Sequence, residues 1–179
     1  MKLEEKKISS DQVFEGNVIK VSVDKVELPN GSESTREIVH HRGAVCVLPI
    51  TDDGDVICVR QYRYAHGEAL LEIPAGKLEE GENDPTEAAL RELEEETGAR
   101  CRDLKYLGKL YPSPAIFTEV IHMYVAKGLT FGKTHPDADE FLEVERIPLR
   151  TLVEMVMSGE IRDAKTQICV LRAYLDMDI

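Results

Sequence analysis

Short apolar segments and polar, turn-forming clusters alternate along the chain, and the apolar period changes as it proceeds. Ile19, Val21 and Val23 alternate with Lys20, Ser22 and Asp24, the period of a half-buried strand. An Asn-Gly turn follows in "LPNGS", so "TREIVH" is expected to return as its hairpin partner. "AVCVLPI" and "DVICVRQYRYA" are nearly continuous apolar runs across "TDDGD" and predict a second hairpin with buried strands. "ALLEIPAG" reads as a strand stopped by Pro74 and Gly76, and "LKYLGKLY", "EVIHMYVAKGL" and "FLEVERIPL" as three more. From Pro85 to Thr97, and in "LRTLVEMVMSG" and "DAKTQICVLRAYL", the period becomes helical. Strands linked mostly by hairpins, with helices interspersed, predict an α+β architecture, a mixed α/β/α sandwich rather than a doubly wound parallel sheet.

The first of these helices is well delimited. Asp84 is a good N-cap, Pro85 suits the first helical position, and Gly98 is a natural residue just past the end. Ala89, Leu90, Leu93 and Thr97 are expected to form its buried stripe. Glu92, Glu95 and Glu96 fall at helical offsets of three and four, together on an adjoining face. Like charges at those offsets cost a helix roughly 0.2–0.5 kcal/mol per pair. A solvated charged face is the plain alternative, but these carboxylates are bunched, and Arg91 is the cation beside them. Immediately upstream, Pro74 and Gly76 in "IPAGKLEEGE" make a loop whose carbonyls can face the acidic edge. Clustered hard oxygen donors with little counter-charge are how a protein holds Mg²⁺ or Mn²⁺.

Composition narrows the class. With 179 residues, 42% apolar and 31% charged, the chain suits one folded domain with a real core. A net charge of −12 disfavours nucleic acid and anionic membrane as partners and favours metal cations. No apolar run approaches the roughly 20 residues of a membrane span, and "MKLEEKKISSDQ" lacks the apolar core of a secretory signal. Cys46, Cys58, Cys101 and Cys169 show no metal-ligand spacing, and a reducing, cytoplasmic setting with buried free thiols is expected.

Gly76, then Glu82, then "RELEEETGA" from Arg91 to Ala99 together resemble the Nudix box, G-x5-E-x7-R-E-U-x-E-E-x-G-U. One departure stands out: eight residues, not seven, separate Glu82 from Arg91, and the extra one precedes Pro85, so the carboxylate offsets are kept. "GNVIKVSVDKVELPNG", "REIVHHRGAV", "VRQYRYA", "LLEIPAGKLEEGE", "YPSPAIFTE" and "DAKTQ" further resemble the ADP-ribose pyrophosphatase branch of the Nudix hydrolases. The resemblance implies a Nudix fold with an N-terminal antiparallel hairpin or sheet. Residues 1–41 would be the hairpin segment, forming a homodimer, and 42–179 the hydrolase domain. It implies metal-dependent hydrolysis of ADP-ribose to AMP and ribose 5-phosphate, with Mg²⁺ as cofactor and Mn²⁺ as the alternative. Another nucleotide sugar or dinucleotide (GDP-mannose, NADH, a diadenosine polyphosphate) is one rival substrate class, and a non-catalytic ADP-ribose sensor is a second rival. By the same resemblance, Glu92, Glu96 and the Ala75 carbonyl ligate metal, and Glu95 ligates or orients. Arg91 would hold the carboxylates by an internal salt bridge. Glu140 would be the general base, with Asp137 or Asp139 as substitutes. Arg36, Glu37, Arg63 and Glu119 match substrate- or metal-binding positions.

Overall fold

The computed structural model describes residues 3–82, 84–135 and 141–176. Contacts divide the chain into two units, Met1–Gly43 with Tyr111–Val120, and Ala44–Leu110 with Ile121–Ile179.

The first unit carries an antiparallel sheet of β1 (Lys6–Glu15), β2 (Lys20–Glu27) and β3 (Glu33–His40), with β2 central. The hairpin expected around "LPNGS" is β2–β3, closed by the Leu28 N–H to the Ser32 carbonyl at 2.8 Å, with Gly31 at φ 83°. The strand ahead of it, β1, was not read from the sequence. All ten of its positions are exposed, so "KKISSDQVFE" carries no sustained apolar alternation to announce it. The β2 alternation also differs from its apolar pattern: Ser22, Asp24 and Val26 are its buried positions, and Val21 and Val23 are half-buried. Backbone bonds tie Val39 to Ile116 and Thr118, which joins the 111–120 segment to β3.

Asp24 anchors this sheet. Its carboxylate accepts from Ser10 Oγ at 2.5 Å and Ser22 Oγ at 3.0 Å and meets Lys7 Nζ at 3.0 Å. Ser10 and then Lys7 lower its pKa from 3.8 to about 2, against the opposing effect of burial. A depressed carboxyl pKa contributes stability that is present above pH 3.8 and is lost as pH falls towards 2. Thermal melts followed by circular dichroism should therefore show acid destabilisation in that window. Asp24→Asn should lower the melting point at neutral pH and flatten the slope there. A variant with the wild-type pH profile would remove Asp24 from the account.

In the second unit the chemistry of one strand sets the layering. Every residue of β4 (Ala44–Pro49) is buried, and its side chains serve two cores in alternation. Cys46 and Leu48 pack with Leu152, Cys169 and Val170, which lie on α2 (Leu149–Ser158) and α3 (Ala164–Leu175). Val45 and Val47 pack instead with Ala88, Ala89 and Leu93 of α1 (Pro85–Thr97). Helices thus cover both faces, which gives the expected sandwich. The sheet holding β4 runs β7 (Ala75–Lys77), β4, β10 (Ile121–Lys127), β9 (Asp103–Leu110). It is mixed, because β4 and β10 pair in parallel and the other pairs are antiparallel. A second sheet orders β12 (Leu142–Pro148), β5 (Asp55–Arg63) and β6 (Glu68–Glu72). The short β8 (Ala99–Arg100) and β11 (Thr130–Phe131) pair with each other.

Cys46, Cys58 and Cys169 are buried free thiols, and burial pushes Cys58 up to about 12, far from reactive thiolate character. Among the described residues no helix is long and apolar enough to cross a membrane.

Candidate active site

The acidic helix begins and ends where its sequence signals place it. Asp84 caps it by accepting the Thr86 N–H at 2.8 Å, and Gly98, at φ 68°, closes it with its N–H on the Glu94 carbonyl. Its buried face differs from the expected stripe. Ala88, Ala89, Leu93 and Thr97 are buried as apolar or capping neighbours, but Leu90 is 41% exposed. Leu90 lies one residue, or about 100°, round from Ala89, which carries it past the edge of the packed face. The remaining buried places belong to two carboxylates, Glu92 at 7% exposure and Glu96 at 2%. A helix that buries acids where it could bury leucine has a reason beyond solubility.

Gly76 supplies the first part of that reason. A Cβ at this position would overlap the carboxyl group of Glu92, so only glycine lets β7 pass this close to the helix. Next to it, the Ala75 N–H donates to Glu96 Oε2 at 3.1 Å. The backbone at Ala75 and Gly76 therefore lies directly against both buried carboxylates.

Arg91 organises the same edge. Its Nη1 donates to Glu92 Oε1 at 2.7 Å and Glu95 Oε2 at 2.9 Å, and its Nη2 reaches Glu82 Oε2 at 3.2 Å. Burial works against the Arg91 cation, but Glu82, Glu92 and Glu95 outweigh it and hold the guanidinium above its usual range. Glu82 is in turn pushed up by burial, yet the Glu79 N–H and Arg91 keep it below the ordinary carboxylate range. The extra residue between Glu82 and Arg91 thus leaves Glu82 in the network.

One guanidinium faces three carboxylates here, and Glu96 adds a fourth acid along the same helix edge. Among the described residues no three His, Cys, Asp or Glu side chains converge as a ready ligand set. What the structure offers is two buried carboxylates in a cradle that a single methyl group would fill, with excess negative charge. That donor chemistry fits a hard divalent cation held partly by backbone and water.

Arg63, expected to meet substrate, lies at the end of β5 and grips Glu72 at both ends, Nε to Oε1 at 2.7 Å and Nη2 to Oε2 at 2.6 Å. Sequence reasoning did not find the partners beyond it. Lys165 Nζ also bonds Glu72 Oε2 at 2.5 Å and meets Asp163 Oδ1 at 3.0 Å. Asp163 caps α3 through the Thr166 N–H at 2.9 Å, and the Thr166 hydroxyl accepts the Ile73 N–H at 2.9 Å. "DAKT" thereby fixes the strand that leads into Pro74, Ala75 and Gly76. Its only signal in the sequence was the short "DAKTQ" match itself.

In the first unit, Arg36 lies on β3 and is held by Glu5, Nε to Oε2 at 2.9 Å and Nη2 to Oε1 at 2.5 Å. Glu37 is exposed and stands opposite Val23 of β2. Glu119 Oε1 is 3.4 Å from His41 Nδ1, and that nitrogen also accepts the Gly43 N–H at 3.1 Å. Glu140, with Asp137 and Asp139, lies outside the described residues. The structure thus brings Ala75, Glu82, Arg91, Glu92, Glu95 and Glu96 together, and pairs Arg63 with Glu72 and Arg36 with Glu5.

Comparison with known proteins agrees with this geometry. Residues 40–167 match the family described as NUDIX domain, and residues 5–39 match the nucleoside diphosphate sugar hydrolase N-terminal domain. A protein named methanol dehydrogenase activator, from Bacillus methanolicus, is 47% identical over 93% of this chain and 91% of its own length. A protein named ADP-ribose pyrophosphatase, from Bacillus subtilis (strain 168), is 46% identical over 94% of this chain and 91% of its own. A solved structure titled as an ADP compounds hydrolase superposes with a TM-score of 0.85 at 26% identity, covering 99% of this chain and 98% of that one. Hydrolases of this family generally use a divalent metal on a nucleoside diphosphate substrate, the chemistry for which two buried carboxylates against a glycine cradle are suited. The chain belongs to the NUDIX family and is a Nudix hydrolase.

Proposed function

We propose that the protein hydrolyses the pyrophosphate bond of ADP-ribose, giving AMP and ribose 5-phosphate, with Mg²⁺ as its cofactor. The observation that carries the metal-dependent part is the pair of buried carboxylates, Glu92 and Glu96, against the Ala75–Gly76 backbone. The names of the relatives and of the superposed structure support ADP-ribose as the substrate.

Glu92, Glu96 and the Ala75 carbonyl would hold the cation, and Glu95 would complete or orient that set. When bound, Mg²⁺ supplies charge neutralisation of the diphosphate and a water of lowered pKa. Arg91 keeps Glu92 and Glu95 from turning away, since its Nη1 bonds both. Arg63 would bind a diphosphate oxygen, and Arg36, Glu37 and Glu119 would contact substrate or metal. Glu140 would take the proton from the attacking water. Glu140→Gln should lower kcat far more than it changes KM, and Asp137→Asn and Asp139→Asn should do much less. Full turnover by Glu140→Gln would move the base elsewhere. A reducing, cytoplasmic setting suits the four cysteines, all of which stand as free thiols.

The substrate assignment is tested by a panel of ADP-ribose, GDP-mannose, NADH and a diadenosine polyphosphate, each followed by chromatography of the products. ADP-ribose should give the highest kcat/KM. A tenfold preference for any other member would transfer the assignment to that class.

The active form is proposed to be a homodimer built through the N-terminal sheet. Ile8, Val13, Phe14 and Val18 are about half exposed there, on or next to a strand exposed along its whole length. Light scattering at micromolar concentration should give about twice the 20.1 kDa chain mass. A stable species at the chain mass would overturn the dimer.

A further inference from the structure

We infer that Lys165 is a positioning residue: it is the resident counter-charge of Glu72, and it leaves Arg63 free to move between Glu72 and a bound diphosphate. The inference rests on the reading that this site takes a nucleoside diphosphate and that Arg63 meets it.

Exposure decides which of the two cations can move. The Glu72 side chain is 2% exposed and that of Lys165 is 10%, but that of Arg63 is 38%. Lys165 is therefore locked beside the carboxylate, and it bonds Glu72 and Asp163 at once. Burial disfavours its charge, but Asp163 and Glu72 hold its ammonium above the usual range, so it remains a cation. The Arg63 guanidinium has solvent on one side and a bidentate grip on Glu72 on the other. It also feels the field of Glu96 on the acidic helix, which places it towards the carboxylates expected to hold metal.

A buried carboxylate left without a cation is costly. With Arg63 as its sole partner, Glu72 would resist giving up the guanidinium, and a diphosphate would have to overcome that resistance on binding. Lys165 removes it. When Arg63 turns to phosphate, Glu72 keeps an ammonium at hydrogen-bond distance, and Lys165 keeps Asp163 as well. Glu72 then serves as a holding site that keeps Arg63 extended and ordered before substrate arrives, which lowers the ordering cost of binding. The same "DAKT" turn places Thr166 under Ile73, so the holding site and the Ala75–Gly76 backbone are fixed by one helix end.

The test uses the full chain with Lys165→Met, Lys165→Arg, Glu72→Gln and the double variant Glu72→Gln/Lys165→Met, each checked for folding by thermal melt. Kinetics with ADP-ribose are paired with calorimetric binding of inorganic pyrophosphate in EDTA. Lys165→Met should raise KM about tenfold with kcat within about twofold, and should weaken pyrophosphate binding to a similar degree. Lys165→Arg should restore most of the loss. Glu72→Gln should leave KM at or below the wild-type value, because it releases Arg63, and in that background Lys165→Met should have no further effect on KM. A merely structural Lys165 would lower kcat and melting point together, without this split and without suppression by Glu72→Gln, and that result overturns the inference. If Lys165→Met fails to fold, Glu72→Gln decides: a KM raised well above wild type overturns the inference, and one at or below it supports the release of Arg63. If wild type does not hydrolyse ADP-ribose, the substrate reading fails. The pyrophosphate titrations then still decide the role of Lys165.

Discussion

Replacing Glu96 by Gln is expected to lower kcat at least about a hundredfold, since loss of even an outer partner of a metal site costs about 10- to 100-fold. Glu92→Gln should fall in the same range. The size and hydrogen-bonding shape of the side chain are kept: a Gln oxygen can still accept the Ala75 N–H at residue 96 or the Arg91 Nη1 at residue 92. What is lost is a hard anionic donor. Fold stability in metal-free buffer should hold or rise slightly, because one of several like charges has been removed from the helix edge. Divalent cation should raise the melting point of wild type but raise that of either variant much less. Measured kcat and paired melting curves with and without Mg²⁺ check this. Near-normal turnover in both variants would refute the metal assignment.

Gly76→Ala is expected to be as damaging to activity, and for a different reason. The added methyl group would occupy the space of the Glu92 carboxyl group, so either Glu92 turns out of the site or β7 lifts away from β4. Turning Glu92 out also breaks its bond to Arg91 and loosens the hold on Glu95. Overpacking of this kind typically costs about 1–3 kcal/mol, so here, unlike in Glu92→Gln, stability should fall together with kcat. Comparing the two variants therefore separates a lost charge from a displaced one. A Gly76→Ala protein with wild-type kcat and melting point would mean that the close approach of β7 to Glu92 is not needed.

Much of this site was legible because its signals are local. Asp84, Pro85 and Gly98 mark the ends of α1 within a few residues of one another, and the offsets of Glu92, Glu95 and Glu96 follow from the helical period alone. The glycine at 76 was legible as part of the box spacing, but its physical cause needed β7 and α1 side by side. Leu90 was misplaced because a period fixes which residues share a face and not where the packed face ends. Strand β1 escaped because a strand exposed at every position carries no apolar signature. The partnership of Lys165 with Glu72 was beyond any local reading, since 93 residues separate them and either alone looks like an ordinary surface charge. Only the packing of α3 against the strand that ends in "EIPAG" turns them into a buried pair.

The most direct test of the central claim is incubation of the purified full chain with ADP-ribose and Mg²⁺, followed by anion-exchange chromatography, with Glu96→Gln run in parallel. Wild type should convert ADP-ribose stoichiometrically to AMP and ribose 5-phosphate, the variant should do so at no more than about a hundredth of that rate, and EDTA should abolish conversion in both. ADP-ribose recovered intact from wild type, even if tightly bound, would contradict the hydrolase reading for this substrate.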